Sequence, residues 1–118
     1  METKEAIYEL QYSEKMKSGL IIGINLLNQM GSLKEEELSG GTKVLIWYLE
    51  GLLREMRIAE NVLGLGRYGD LQRKVTEVIG RIQMSQFQEA ERSFSEAISL
   101  ATTSCQISMG FLVEKKLI

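Results

Sequence analysis

Six cationic side chains fall in one stretch of the chain: Arg54, Arg57, Arg67, Arg73, Lys74 and Arg81. Arg54 and Arg57 share a helix side at i, i+3, and Arg67 with Tyr68 stands in a glycine-rich turn. Guanidinium groups gathered this way could hold a phosphate or an acidic partner. Glu50, Glu55 and Glu60 lie close by in sequence and offer the plainer outcome, local pairing on a solvated helix. The turn itself, Gly64-x-Gly66-x-x-Gly69, has the spacing of a dinucleotide-binding loop. Such a loop needs a strand before it, and the flank here has helical periodicity.

Other chemistry is poorly supplied. The chain has no histidine, which removes Ser-His and Cys-His nucleophile systems, His-containing zinc sites and the Glu-x-x-His motif of di-iron bundles. The one cysteine, Cys105, cannot form an intramolecular disulfide, a four-cysteine zinc site or an iron–sulfur cluster within the chain. It falls on an apolar helix stripe with no basic neighbour in sequence, so an inert buried thiol is expected. Glu35, Glu36 and Glu37 are consecutive, and turns of about 100° between neighbours keep them from converging on one ion. Glu89 and Glu96 share a side but lie two turns apart. The paired Glu-x-x-Glu and Glu-x-x-Asp ligands of helical nucleotide pyrophosphatases are represented only by Glu2-x-x-Glu5. No catalytic residue, metal or cofactor is therefore expected, and the chain is expected not to be an enzyme.

Composition sets the frame for these residues. A chain of 118 residues has the length of one ordinary domain, and 44% hydrophobic with 25% charged residues is usual for a soluble globular protein. Proline is absent, which favours long helices joined by glycine turns. The net charge of −2 counts against a dedicated nucleic-acid binder. The charge is uneven: residues 1–50 carry −3, residues 51–81 carry +2 and residues 82–118 carry −1. The longest apolar stretch, Leu20 to Met30, contains Asn25, Asn28 and Gln29 and is too short to span a bilayer. The start of the chain is acidic and polar, unlike a secretory leader. A soluble cytoplasmic protein with no membrane contact is expected.

Periodicity predicts four main helices. The first runs from about Thr3 to Met30, with Gly19 and Gly23 four apart on one side, where they allow close packing or a kink. Ser32 with Glu35 has the form of a capping box, a short helix Leu33–Leu38 can follow, and Ser39-Gly40-Gly41 reads as a joint before an N-cap at Thr42. The second helix, about Lys43 to Leu63, carries Leu45, Leu49, Leu52, Met56, Ala59 and Leu63, spaced +4, +3, +4, +3, +4. Asp70 is placed to cap a third helix, Leu71 to Met84, with Leu71, Val75, Val78 and Ile82 on one side. Ser85 with Gln88 suggests a second capping box. The fourth helix runs from about Gln86 to near Glu114 with the stripe Phe87, Ala90, Phe94, Ala97, Ala101, Cys105, Met109 and Leu112. Short turns between such helices predict an all-α, single-domain antiparallel bundle of about four helices.

Phe87 to Leu100, with Phe87, Ala90, Phe94 and Ala97, is similar to the second half of a tetratricopeptide-type hairpin over 14 residues. No first-helix signature or second copy accompanies it, and such repeats need about three copies, so ordinary helix packing accounts for it. What remains is apolar surface. Ile21, Ile24, Trp47, Leu112, Leu117 and Ile118 are the expected contact residues of a non-catalytic interaction or adaptor subunit, a homodimer or other homo-oligomer. The alternatives are a nucleic-acid-associated subunit using the six cations, and an enzyme whose Glu, Arg and Tyr meet between helices or across a dimer.

Overall fold

A computed structural model describes residues 1–64 and 66–118. Leu65, inside the glycine-rich turn, lies outside the described residues. Four helices carry the chain: α1 (Thr3–Gln29), α2 (Glu35–Leu63), α3 (Gly69–Gln83) and α4 (Phe87–Glu114). A single 3-10 turn, Met30–Ser32, joins the first two. Each of α1 and α3 packs on both α2 and α4, which closes a ring around one apolar core. No strand occurs among the described residues, so the all-α bundle expected from periodicity is the observed architecture.

The core follows the predicted stripes where they are apolar. Leu45, Leu49, Leu52, Met56 and Ala59 of α2 face Leu71, Val75, Val78 and Ile82 of α3, Met16, Leu20 and Leu27 of α1, and Ala90, Phe94, Ala97 and Ala101 of α4 in one buried cluster. Helix α1 runs unbroken through Gly19 and Gly23. Both glycines have a packing reason, and the neighbour in each case is a side chain. A Cβ at Gly19 would stand 2.7 Å from Leu52 Cδ2, and one at Gly23 would stand 2.9 Å from Phe94 Cε1. Tyr48 borders both glycines, and its hydroxyl donates to the Gly19 carbonyl at 2.7 Å.

Several helix ends differ from the sequence expectation. There is no joint at Ser39-Gly40-Gly41 and no N-cap at Thr42: α2 starts at Glu35 and absorbs both features, together with the short helix expected before them. Three glutamates in its first turn suit the positive end of the helix dipole, and Glu37 Oε1 accepts the Lys34 N–H at 3.0 Å. The Ser32 hydroxyl donates backwards to the Gln29 carbonyl, so Ser32 and Glu35 form no capping box. Helix α3 begins one residue before Asp70, which pairs with Arg73 instead of capping. Ser85 likewise caps nothing. It adopts φ 58° just past α3, where its N–H meets the Ile82 carbonyl and the Gln86 N–H meets the Arg81 carbonyl. That pair of bonds closes a helix C-terminus and leaves no Ser85–Gln88 box.

The α4 stripe also departs from expectation. Past Ala101 the buried positions are Ser108 and Leu112, while Cys105 is half-buried and Met109 exposed. Between Ala101 and Ser108 it is Ser104, itself half-buried, that turns to α1, where it bonds Ser13 and Glu9.

Candidate functional site

The helices differ in length, and this creates the chain's most polar interior. Helix α3 has 15 residues, about 22 Å, while α1 and α4 have 27 and 28. Lys74 bonds Glu96, and Ser93 bonds Glu77, so α3 lies along the first half of α4. Beyond it the α2–α3 connection fills the gap. Gly64 and Gly66, at φ 107° and 88°, turn the chain so that Tyr68 enters the core and Arg67 lies across α1.

Glu60 fixes this connection by accepting the Arg67 N–H at 3.1 Å and the Tyr68 N–H at 2.9 Å. Arg67 then spans two carboxylates of α1, with Nη1 2.9 Å from Glu9 Oε2 and Nη2 2.9 Å from Glu5 Oε2. Tyr68 Oη lies 3.1 Å from Ser13 Oγ, and Ser13 Oγ lies 2.7 Å from Ser104 Oγ. Ser104 donates to Glu9 Oε1 at 3.2 Å. Tyr68 Oη also lies 3.3 Å from the Glu9 carbonyl oxygen, so its one proton serves Ser13 or that carbonyl, while Ser13 donates to Ser104 and Ser104 to a carboxylate that Arg67 holds from the other side.

The charges fit this geometry. Burial pushes the Tyr68 phenol above its ordinary pKa, and the Glu9 charge adds to it. Burial works against the Arg67 guanidinium, but Glu9 and Glu5 outweigh that and hold it firmly charged. Among the described residues, no buried side-chain nitrogen or oxygen lacks a partner. The cluster brings together the Glu, Arg and Tyr that an enzyme reading would want, yet each group is committed to another.

The remaining cations of the 54–81 stretch do not gather with Arg67. Arg73 pairs with Asp70, and Lys74 pairs with Glu77 and Glu96. Hydrogen bonds from Lys74 and Ser93 hold the Glu77 carboxyl below its usual range. Arg81 donates to the Gln86 side chain at 2.8 Å. Arg54 and Arg57 alone of the six are exposed without an ion pair among the described residues. Burial raises the Cys105 thiol pKa, with Glu14 adding to it, which is the opposite of activation.

The expected apolar contact residues divide as well. Leu112 is buried, and Ile24 is half-buried against the central core cluster. Ile21, Leu117 and Ile118 are exposed, with Leu117 following the turn that ends α4 at Lys116. Trp47, the largest of them, is 63% open to solvent on the outer side of α2. Nearby, Leu26, Met30, Leu33, Val44 and Leu45 line a groove of about 410 Å³ between α1 and α2. The groove does not follow from helical periodicity, because Leu33 and Val44 fall outside the core stripes.

Among the described residues, no helix is long and apolar enough to cross a membrane and no acidic or thiol cluster is arranged for a metal ion. Compared with protein-family models, curated proteins and solved structures, the chain matches none.

Proposed function

We propose that this protein is a non-catalytic interaction subunit of the cytoplasm that works by burying apolar helix surface, pairing with itself as a homodimer. The observation that carries this is Trp47. An indole more than half exposed, next to Val44 and a groove lined by Leu26, Met30 and Leu33, is an uncovered apolar area of the kind that marks association sites. Tryptophan is also the residue most often found as an energetic anchor at protein interfaces. The unpaired Cys105 suits a reducing compartment.

The nucleic-acid reading has less to stand on, because Arg67, Arg73 and Lys74 are closed into ion pairs within the chain. The enzyme reading would need Glu9, Arg67 or Tyr68 to give up a partner it already has.

Light scattering coupled to size exclusion tests the proposal. A species of twice the 13.4 kDa chain mass, dissociating on dilution, is expected. Trp47→Ala should weaken it by roughly tenfold or more. A wild-type monomer at all concentrations would remove the self-association.

A further inference from the structure

The outer side of α2 has an order of its own. Gly40, Val44, Trp47, Gly51, Arg54 and Ile58 follow one another at +4, +3, +4, +3, +4, a seam with the 3.5-residue period of paired helices. Val44, Trp47 and Ile58 are each more than half exposed. The two glycines have no internal reason to be there. A Cβ on Gly40 would meet nothing within 4 Å, and one on Gly51 would meet only an Arg54 nitrogen at 3.7 Å. Glycine weakens a helix interior relative to alanine, and at Gly19 and Gly23 tight packing accounts for it. At Gly40 and Gly51 nothing among the described residues does.

A row of charges runs beside this seam. Glu36, Lys43, Glu50 and Arg57 stand seven residues apart, which is about 10.5 Å along the helix on nearly one side. All four are exposed, and none is in an ion pair among the described residues. Their signs alternate, and the pattern inverts about the point between Ile46 and Trp47. Turned end for end, the row therefore meets its own complement: Glu36 opposite Arg57, and Lys43 opposite Glu50. A parallel pairing would set the row against Gly41, Tyr48, Glu55 and Val62 on the other flank, where no cation answers Glu36 or Glu50.

Building on the self-association proposed above, we infer that α2 pairs with α2 of a second copy, antiparallel, across a two-fold axis near Trp47. The two indoles meet at the centre. Val44 of each copy lies over Gly51 of the other, and Gly40 receives the Arg54 side chain. The two kinds of charge pair each form twice, as an isologous interface requires. Opposite charges placed this way fix register and orientation, and like charges in the same places oppose association.

Sedimentation across a concentration series tests the pairing. It compares the wild type with Glu50→Lys and with the double exchange Lys43→Glu/Glu50→Lys. Glu50→Lys sets Lys43 against a lysine at both symmetry-related places and should weaken the dimer about tenfold or more. The double exchange restores opposite signs and should bring the affinity back to within about threefold of wild type. Circular dichroism confirms that each variant remains helical. A dimer that ignores Glu50→Lys would overturn this register while leaving self-association in place. A wild-type monomer would overturn self-association and the register with it. Cross-linking in a Cys105→Ser background gives a second readout. A mixture of Lys43→Cys and Glu50→Cys chains should form a disulfide between copies, whereas Lys43→Cys alone should not, because its two sulfurs would sit a full two turns apart. Efficient cross-linking of Lys43→Cys alone would point to parallel helices and refute the pairing.

Discussion

Two regions bordering α2 solve opposite problems. Just past its C-terminal end, where the connection to α3 lies on α1, the costly groups are the buried Glu9 carboxylate of α1, the Arg67 guanidinium laid across α1 and the Tyr68 hydroxyl inside the core. Each is matched by a partner within the chain, so this end is sealed. On its outer side, the costly features are two glycines in a helix interior, an exposed indole and a row of unpaired charges. None of these is matched among the described residues. The difference separates residues explained by the fold from residues that the fold leaves unexplained, and only the second kind points beyond the molecule.

The largest expected effect tests the sealed end. Arg67→Ala leaves Glu9, whose side chain is 7% exposed, as a buried carboxylate without its cation. Breaking such a pair from one side costs about 3 kcal/mol, the low end of the usual range because Arg67 is itself 28% exposed. Denaturant unfolding measures it. Adding Glu9→Gln to Arg67→Ala should recover more than half of the loss, since the stranded charge is then gone. If Arg67→Ala costs less than about 1 kcal/mol, the ion pairs are surface decoration and the two regions are less different than the structure makes them.

The next effect concerns a glycine that the core does explain. Gly23→Ala would put a methyl 2.9 Å from the Phe94 ring, which is fully buried and has little room to move. Overpacking of this kind costs about 1–3 kcal/mol, against a gain of up to about 1 kcal/mol in helix propensity. A net loss in thermal midpoint is expected.

Tyr68 sharpens the contrast through pH. Its folded-state pKa lies above the ordinary tyrosine value because burial disfavours the phenolate. The protonated form is thus favoured by the fold, and the contribution is fully present below the unfolded-state pKa of about 10. It is lost as pH rises from there through the folded-state value. Tyr68→Phe should cost about 1 kcal/mol at neutral pH, one hydrogen bond, and should flatten the alkaline fall in stability. Unfolding midpoints between neutral and strongly alkaline pH would show whether the two proteins converge as expected.

Much of the bundle was legible in the sequence because its core is apolar and periodic. The limits of α1 and α4, and the stripes Leu45–Ala59 and Leu71–Ile82, follow from spacing alone. Gly40-Gly41 misled because local propensity reads a glycine pair as a break. Here Leu33 covers Gly41, and the acidic first turn supports the helix ahead of the pair. The polar cluster was illegible for a different reason. Ser13–Ser104 and Arg67–Glu9 join residues 91 and 58 apart, and nothing in local pattern marks a serine as interior. Of the candidate contact residues, Trp47 stood out by type, but its exposure and the free glycines beside it needed the packed neighbours to be known.

The smallest effect bears most directly on the open region. Gly40→Ala and Gly51→Ala introduce methyls that meet nothing closer than 3.7 Å within the chain, in a helix where alanine is favoured. At concentrations where the protein is monomeric, each should raise stability by about 0.5–1 kcal/mol. Under associating conditions Gly51→Ala should act the other way, because its methyl would occupy the space that Val44 of the second copy needs. A substitution that stabilises the free chain and weakens the pair separates the two roles of α2 in one residue. Thermal midpoints measured at low and high protein concentration would show that crossing. If Gly51→Ala stabilises equally at both, the glycine serves no interface, and the outer side of α2 loses one of the features that set it apart from the sealed end.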